Sequence, residues 1–170
     1  MQIRFAGIGG QGVVLAGVIL GEAAAIEGLN VLQTQDYSSA SRGGHSIADV
    51  IISKEPIYDV IVTKADVLVA LAQLGYDTVK DELKEGGLLI IDTDLVKPKG
   101  NYIGAPFTRL AEENTGLALT VNMVALGYLV AKTDVVKRES VEEAIRRHVP
   151  KGTEEINIRA FSVGYEEGRR

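Results

Sequence analysis

Met1-Gln2-Ile3-Arg4-Phe5-Ala6-Gly7-Ile8-Gly9-Gly10-Gln11-Gly12 opens the chain. Gln2 to Ala6 reads as a short strand, and it runs directly into a glycine cluster. Glycines at such a junction let the backbone turn tightly and leave amide N–H groups at the start of the following helix, where an anion or polar ligand can sit. Val13 to Glu27 predicts that helix. It is apolar almost all round, with four alanines and only two acids, so the sheet plus a neighbouring helix, or a partner chain, must cover more than one side of it.

The pattern continues outward from this opening. Strands are expected at about Gln2 to Ala6, Asn30 to Gln35, Ser46 to Ser53, Val67 to Leu71, Gly87 to Asp92 and Asn101 to Ile103. Helices are expected at about Val13 to Glu27, Tyr76 to Leu83, Phe107 to Thr115, Val121 to Ala131, Ser140 to His148 and Thr153 to Glu167. Interleaving at the start with helices at the end implies α/β class: a three-layer α/β/α sandwich with a mostly parallel or mixed, Rossmann-like sheet. Gly28 closes the first helix, Ser140 with Glu143 makes a capping-box spacing, and Glu166 to Arg170 reads as a solvated end.

At 170 residues and 46% hydrophobic, residues 1–170 read as a single domain, which buries roughly 70% of its unfolded surface. There is no cysteine, so no disulfide and no cysteine-ligated iron–sulfur cluster belongs to it. No secretory leader and no apolar run of about 20 residues is evident, which points to a cytoplasmic chain with no membrane role. Net charge −5 with 18 dispersed basic residues argues against nucleic acid. Low methionine, no tryptophan and plentiful Glu and Lys hint at a thermophile.

Three segments carry candidate chemistry. Gly7, Gly9 and Gly12 fit G-x-G-x-x-G, the dinucleotide-binding spacing, yet the acid expected near Leu32 to hold a ribose is missing, and Asp36 falls beyond Gln35. Close helix-to-sheet packing explains the same glycines equally well. Thr34 to Ser46, with four serines, Arg42, His45 and two glycines, should emerge at the carboxyl edge of the sheet beside the glycine turn. Arg42, whose planar fork suits phosphate or carboxylate, is the best anion contact there. A polar connection without a ligand is the plainer alternative. Asn122 either caps backbone groups or approaches the glycine turn or a subunit contact. No nucleophile has a recognisable setting, His45 lacks catalytic company, and His148 before Pro150 is explained by the helix dipole. No metal-ligand cluster is present.

Taken together, Gly9-Gly10-Gln11-Gly12-Val13 with Leu15-Ala16 and Ile19-Leu20, then Ser41-Arg42-Gly43-Gly44-His45-Ser46, then Asn122-Met123-Val124-Ala125-Leu126-Gly127, resemble the gamma subunits of 2-oxoacid:ferredoxin oxidoreductases. The resemblance spans nearly the whole chain. It implies a multisubunit enzyme that decarboxylates a 2-oxoacid oxidatively, transfers the acyl group to coenzyme A (CoA) and reduces ferredoxin. Thiamine pyrophosphate, Mg2+ and iron–sulfur clusters are then held by alpha, beta and ferredoxin-like delta subunits, in keeping with the missing Gly-Asp-Gly motif here. Pyruvate-type chains tend to carry Arg-Gly-Ala-Pro where this one has Arg42-Gly43-Gly44-His45, and often Thr at Leu15, which leans the resemblance toward the 2-oxoglutarate type.

On this reading the chain is scaffold and partial wall rather than proton donor. Gly7, Gly9, Gly10, Gln11, Gly12, Ser41, Arg42, Gly43 and Asn122 form the expected binding set, with no catalytic and no metal residue. The isolated chain is expected to be inactive, and a homodimer through its apolar surface stays open. A free-standing Rossmann-like nucleotide-binding module and a purely structural assembly subunit are the rivals.

Overall fold

The computed structural model describes residues 1–38 and 43–170. The chain order is β1 (Gln2–Ile8), α1 (Val13–Ile26), β2 (Asn30–Tyr37), β3 (His45–Ser53), β4 (Ala65–Ala70), α2 (Gln73–Val79), β5 (Leu83–Asp92), β6 (Ile103–Ala105), α3 (Phe107–Thr115), α4 (Val121–Thr133), α5 (Arg138–His148) and α6 (Glu154–Arg169). The strands form one six-stranded sheet ordered β2-β3-β1-β4-β5-β6. The pairs β1/β4, β4/β5 and β5/β6 are parallel, whereas β3 runs antiparallel to both β1 and β2.

Alternation along β1 sorts the layers, because successive side chains of a strand point to opposite faces. Ile3 and Phe5 join the larger core, under α1, α3, α4, α5 and α6. Ala6 joins the smaller one, with Leu68, Ala70 and, from α2, Tyr76 and Val79. The α/β/α layering therefore holds, with the helices unevenly divided. Much of α1 is covered within the chain, where Gly17 and Gly21 lie against Ala48, Val50 and Val31 of the sheet and α4 and α5 pack against the helix, while Val14, Leu15, Val18 and Ile26 stay partly exposed. Arg147 clamps α5 to α1 by donating from Nη1 to Glu22 Oε1 at 2.8 Å.

Helix α4 is buried from Val121 to Ala131, with α6 laid directly on it. A Cβ on Gly127 would collide with the Phe161 carbonyl, and one on Gly164 with that of Val124. On the other sheet face, Arg4 and Asp49 are cross-strand partners. Arg4 Nε and Nη2 donate to the two carboxylate oxygens at 2.6 and 2.7 Å, and Nη2 also reaches the Val62 carbonyl at 2.8 Å. Glu82 makes a second ion pair with Arg4. Such a charge is tolerable inside only because it is paired and hydrogen-bonded on several sides.

Several boundaries differ from expectation. Helix α2 begins at Gln73 and ends at Val79, followed by a 3-10 turn over Lys80–Glu82, and β5 starts at Leu83. Ser140 does not cap α5: the helix starts at Arg138, whose guanidinium bonds Glu142, Glu166 and Ser162 and draws that turn into the helix. Glu166 to Arg170 is not a loose end, since α6 runs to Arg169 and Gly168 is buried against Tyr128 and Ala131. The main departure from a Rossmann order is β3, which stands reversed between β1 and β2.

Candidate functional site

Residues 8–11 make a turn in which the Gln11 N–H bonds the Ile8 carbonyl at 3.2 Å, with Gly10 at φ +91°. Position i+2 of a type II turn demands that conformation, which is why glycine stands there. Gly12, at φ +69°, ends the turn and begins α1. A side chain there would strain the backbone and also strike the Asn122 carboxamide.

Accounting for the amides shows what the turn offers. Ile8 N–H goes to Gln11 Oε1 at 2.9 Å, and Gly9 N–H goes to the Gly44 carbonyl at 3.1 Å. Among the described residues, the N–H groups of Gly10, Gly12, Val13, Val14 and Leu15 have no hydrogen-bond partner. The first turn of α1 has no side-chain cap and no acid. A 14-residue helix thus presents its positive end bare, the arrangement that favours an anion.

The residues that carry these amides line a cavity of about 400 Å³. Its opposite wall is the β2–β3 connection, through Tyr37, Ser38, Gly43, Gly44, His45 and Ser46. Among the described residues, the glycine turn and the two flanks of the polar segment, Tyr37, Ser38 and Gly43 to Ser46, thus line one cavity, and the strands the segment joins, β2 and β3, are antiparallel neighbours. No carboxylate among the described residues lines the cavity. Among the described residues no group of three His, Asp or Glu side chains could hold a metal ion.

The sequence-derived set divides accordingly. Gly9, Gly10, Gly12 and Gly43 line the cavity. Gly7 does not, and its role is packing: a Cβ there would meet Gln11 and Val13. Gln11 turns its side chain away from the cavity, donating from Nε2 to the Leu71 carbonyl at 3.0 Å. Asn122 reaches the turn from α4, with Nδ2 donating to the Gly12 carbonyl at 3.1 Å, so it supports the wall from behind. Ser41 and Arg42 lie outside the described residues.

His45 Nε2 sits 3.3 Å from Asp36 Oδ2. Asp36, the only acid near the position a ribose contact would require, is thus engaged on β2, two strand spacings, roughly 10 Å, from β1. Reversed β3 stands between, so the dinucleotide arrangement is not formed. Sequence reading missed Val14, Leu15 and Tyr37 as lining residues and Gly75, which lies on the Gly7 backbone. The bare first helical turn was a usable signal for the first two.

Residues 2–167 match the pyruvate ferredoxin/flavodoxin oxidoreductase family. The 2-oxoglutarate synthase subunit KorC of Methanocaldococcus jannaschii is 48% identical over 97% of this chain and 92% of its own length. Ketoisovalerate oxidoreductase subunit VorA of Methanothermobacter thermautotrophicus is 34% identical over 99% of this chain but only 36% of its own. Among solved structures, the gamma subunit of a keto/oxoacid ferredoxin oxidoreductase from Geobacter sulfurreducens has a TM-score of 0.86 at 42% identity, covering 98% of this chain and 97% of that one. Glycine turn, hairpin and buttressing α4 thus belong to a fold shared nearly end to end with the Geobacter sulfurreducens gamma subunit, and the chain belongs to the pyruvate ferredoxin/flavodoxin oxidoreductase family as a gamma-type subunit.

Proposed function

We propose that this chain is the gamma subunit of a cytoplasmic 2-oxoglutarate:ferredoxin oxidoreductase, and that its glycine-turn cavity forms part of the route by which CoA reaches the catalytic centre. The enzyme would cleave the bond between the carboxylate and the 2-oxo carbon, release carbon dioxide, join the acyl carbon to the CoA sulfur and pass the electron pair to ferredoxin. Thiamine pyrophosphate, Mg2+ and iron–sulfur clusters would be held by alpha, beta and delta subunits. This chain has no cysteine, and among the described residues no carboxylate lines its cavity.

The observation that carries the reading is that Gly10, Gly12, Val13, Val14 and Leu15, whose N–H groups have no partner among the described residues, line a cavity to which no described acid contributes. Phosphate oxygens are the natural occupants of such a row. Arg42, the sequence neighbour of Gly43, is the residue proposed to add a charge-assisted fork to the phosphate. The substrate assignment is supported by the higher identity to the 2-oxoglutarate synthase subunit, 48%, than to the ketoisovalerate one, 34%.

The test is the KM for CoA in the assembled enzyme after Arg42→Ala. A several-fold rise with kcat held is expected, and an unchanged value in an intact complex would overturn the CoA role. Turnover of 2-oxoglutarate against pyruvate and 3-methyl-2-oxobutanoate by the same preparation checks the substrate. Preference for either of the others would sink that assignment. The isolated chain is expected to turn over none of them.

A further inference from the structure

We propose that Gln11 is the positioning residue of this cavity, an inference that rests on the reading of the cavity as a phosphate-receiving wall. The crossover after β1 leads through α1 to the β2 side of the sheet, and the one after β4 leads through α2 to β5. The boundary between β1 and β4 is therefore where strand order reverses, the crevice in which open α/β sheets take their ligands. Here the crevice is filled. The Gln11 carboxamide bridges it, accepting the Ile8 N–H through Oε1 at 2.9 Å and donating from Nε2 to the Leu71 carbonyl at 3.0 Å. Gly75 of α2 closes it from the other side against the backbone of Gly7.

Two effects follow from that single side chain. A ligand is kept out of the switch crevice, because the Ile8 amide and the Leu71 carbonyl that would meet it are already satisfied. The turn is also tied to β4, a strand whose carboxyl end is fixed in the sheet core. The amides from Gly10 to Leu15 are then presented to the hairpin side without having to be ordered when ligand arrives. A fixed array of donors acts more strongly on a phosphate than one that must reorganise. Gln11 touches no ligand in this scheme: it acts through the shape of residues 8–12.

The experiment uses the assembled oxidoreductase with Gln11→Leu, which removes both hydrogen bonds and keeps most of the side-chain volume. The expected result is a rise of roughly tenfold in the KM for CoA, with kcat and the KM for 2-oxoglutarate within about twofold of the parent. Such a split is not produced by loss of folded subunit, which lowers kcat alone. An unchanged KM for CoA, or kcat and both KM values moving together, would overturn the proposal. Should Gln11→Leu fail to join the complex, Gln11→Glu keeps the acceptor for Ile8 and loses the donor to Leu71, and the same split is expected of it. Val14→Asp, which sets an acid against the free amides without weakening the helix start, separates the two levels. If it raises the KM for CoA and the Gln11 variants do not, the cavity reading stands and the role of Gln11 fails. If neither does, both fail.

Discussion

Asn122 Nδ2 donates to the carbonyl oxygen of Gly12 at 3.1 Å, joining residues 110 positions apart. Its Oδ1 accepts the Met123 N–H at 2.9 Å, so both halves of a side chain in a residue only 4% exposed are engaged. Removing one partner of a buried hydrogen bond costs more than the bond contributes, about 1–3 kcal/mol. Asn122→Ala is expected to destabilise the chain by that amount. Urea unfolding of the isolated subunit measures it, and a loss below about 0.5 kcal/mol would remove Asn122 from the supports of the turn.

Arg4 and Asp49 give a sharper contrast. Asp49→Ala leaves a buried guanidinium with Glu82 and one carbonyl as company and is expected to cost about 3–5 kcal/mol. The double variant Arg4→Met with Asp49→Leu replaces charge by apolar volume and is expected to recover most of the loss. Chemical denaturation of parent, single and double variants reads the coupling.

Stability should fall on acidification. The hydrogen bond from Arg147 holds the Glu22 carboxyl below its ordinary value against the opposing pull of burial, with His148 assisting. Asp66 is also lowered: burial pushes it up, but the hydrogen bonds from Lys84 and the Gln2 N–H and the charge of the N-terminus outweigh that. A carboxyl lowered in the folded state stabilises above its unfolded pKa, and that contribution disappears as pH drops through the folded value. Glu22→Gln should therefore be less stable than the parent at pH 7, by no more than about 1 kcal/mol for so accessible a pair. The gap between the two denaturation midpoints should narrow as pH drops through the ordinary Glu range and close below the folded-state value of Glu22, and a gap constant down to pH 3 would contradict this.

The contact between α4 and α6 is made by glycine. Gly127→Ala and Gly164→Ala each force a methyl group into backbone of the facing helix, and an overpacking cost of about 1–3 kcal/mol or more is expected. At an open helical site the same change would stabilise by up to about 1 kcal/mol, so the sign of the shift in Tm decides.

Much of this was legible because local signals and burial agreed. The apolar runs at Val67 to Leu71 and Leu88 to Ile91 read as strands, and Phe107 to Thr115 read correctly to the residue. What escaped reading was non-local. Nothing in Ser46 to Ser53 tells whether that strand runs with or against its neighbours, since a strand buried on both faces has no directional mark. The start of α5 was misplaced because Ser140 carries a capping signal that the Arg138 contacts override. At the site, the glycine turn and the polar segment after β2 were legible as candidate walls, but the antiparallel pairing that makes the latter part of a hairpin was not. The inward aim of Gln11 and the support from Asn122 depend on chain segments 60 and 110 residues away.

The reversal of β3 has a bearing on how such subunits diverge. One wall of the cavity is supplied by Tyr37, Ser38 and Gly43 to Ser46, at the tip end of a two-stranded ribbon whose eight pairs, from Asn30 with Ser53 to Tyr37 with Ser46, run without interruption. Residues added to or removed from that tip leave every pair below it in place, and lengthening it has only a small entropic penalty. The opposite wall is pinned by α4 and the centre of the sheet. Enzymes built on this plan can therefore remould the cavity from one side alone, by editing a ribbon end while the rest of the polypeptide stays as it is.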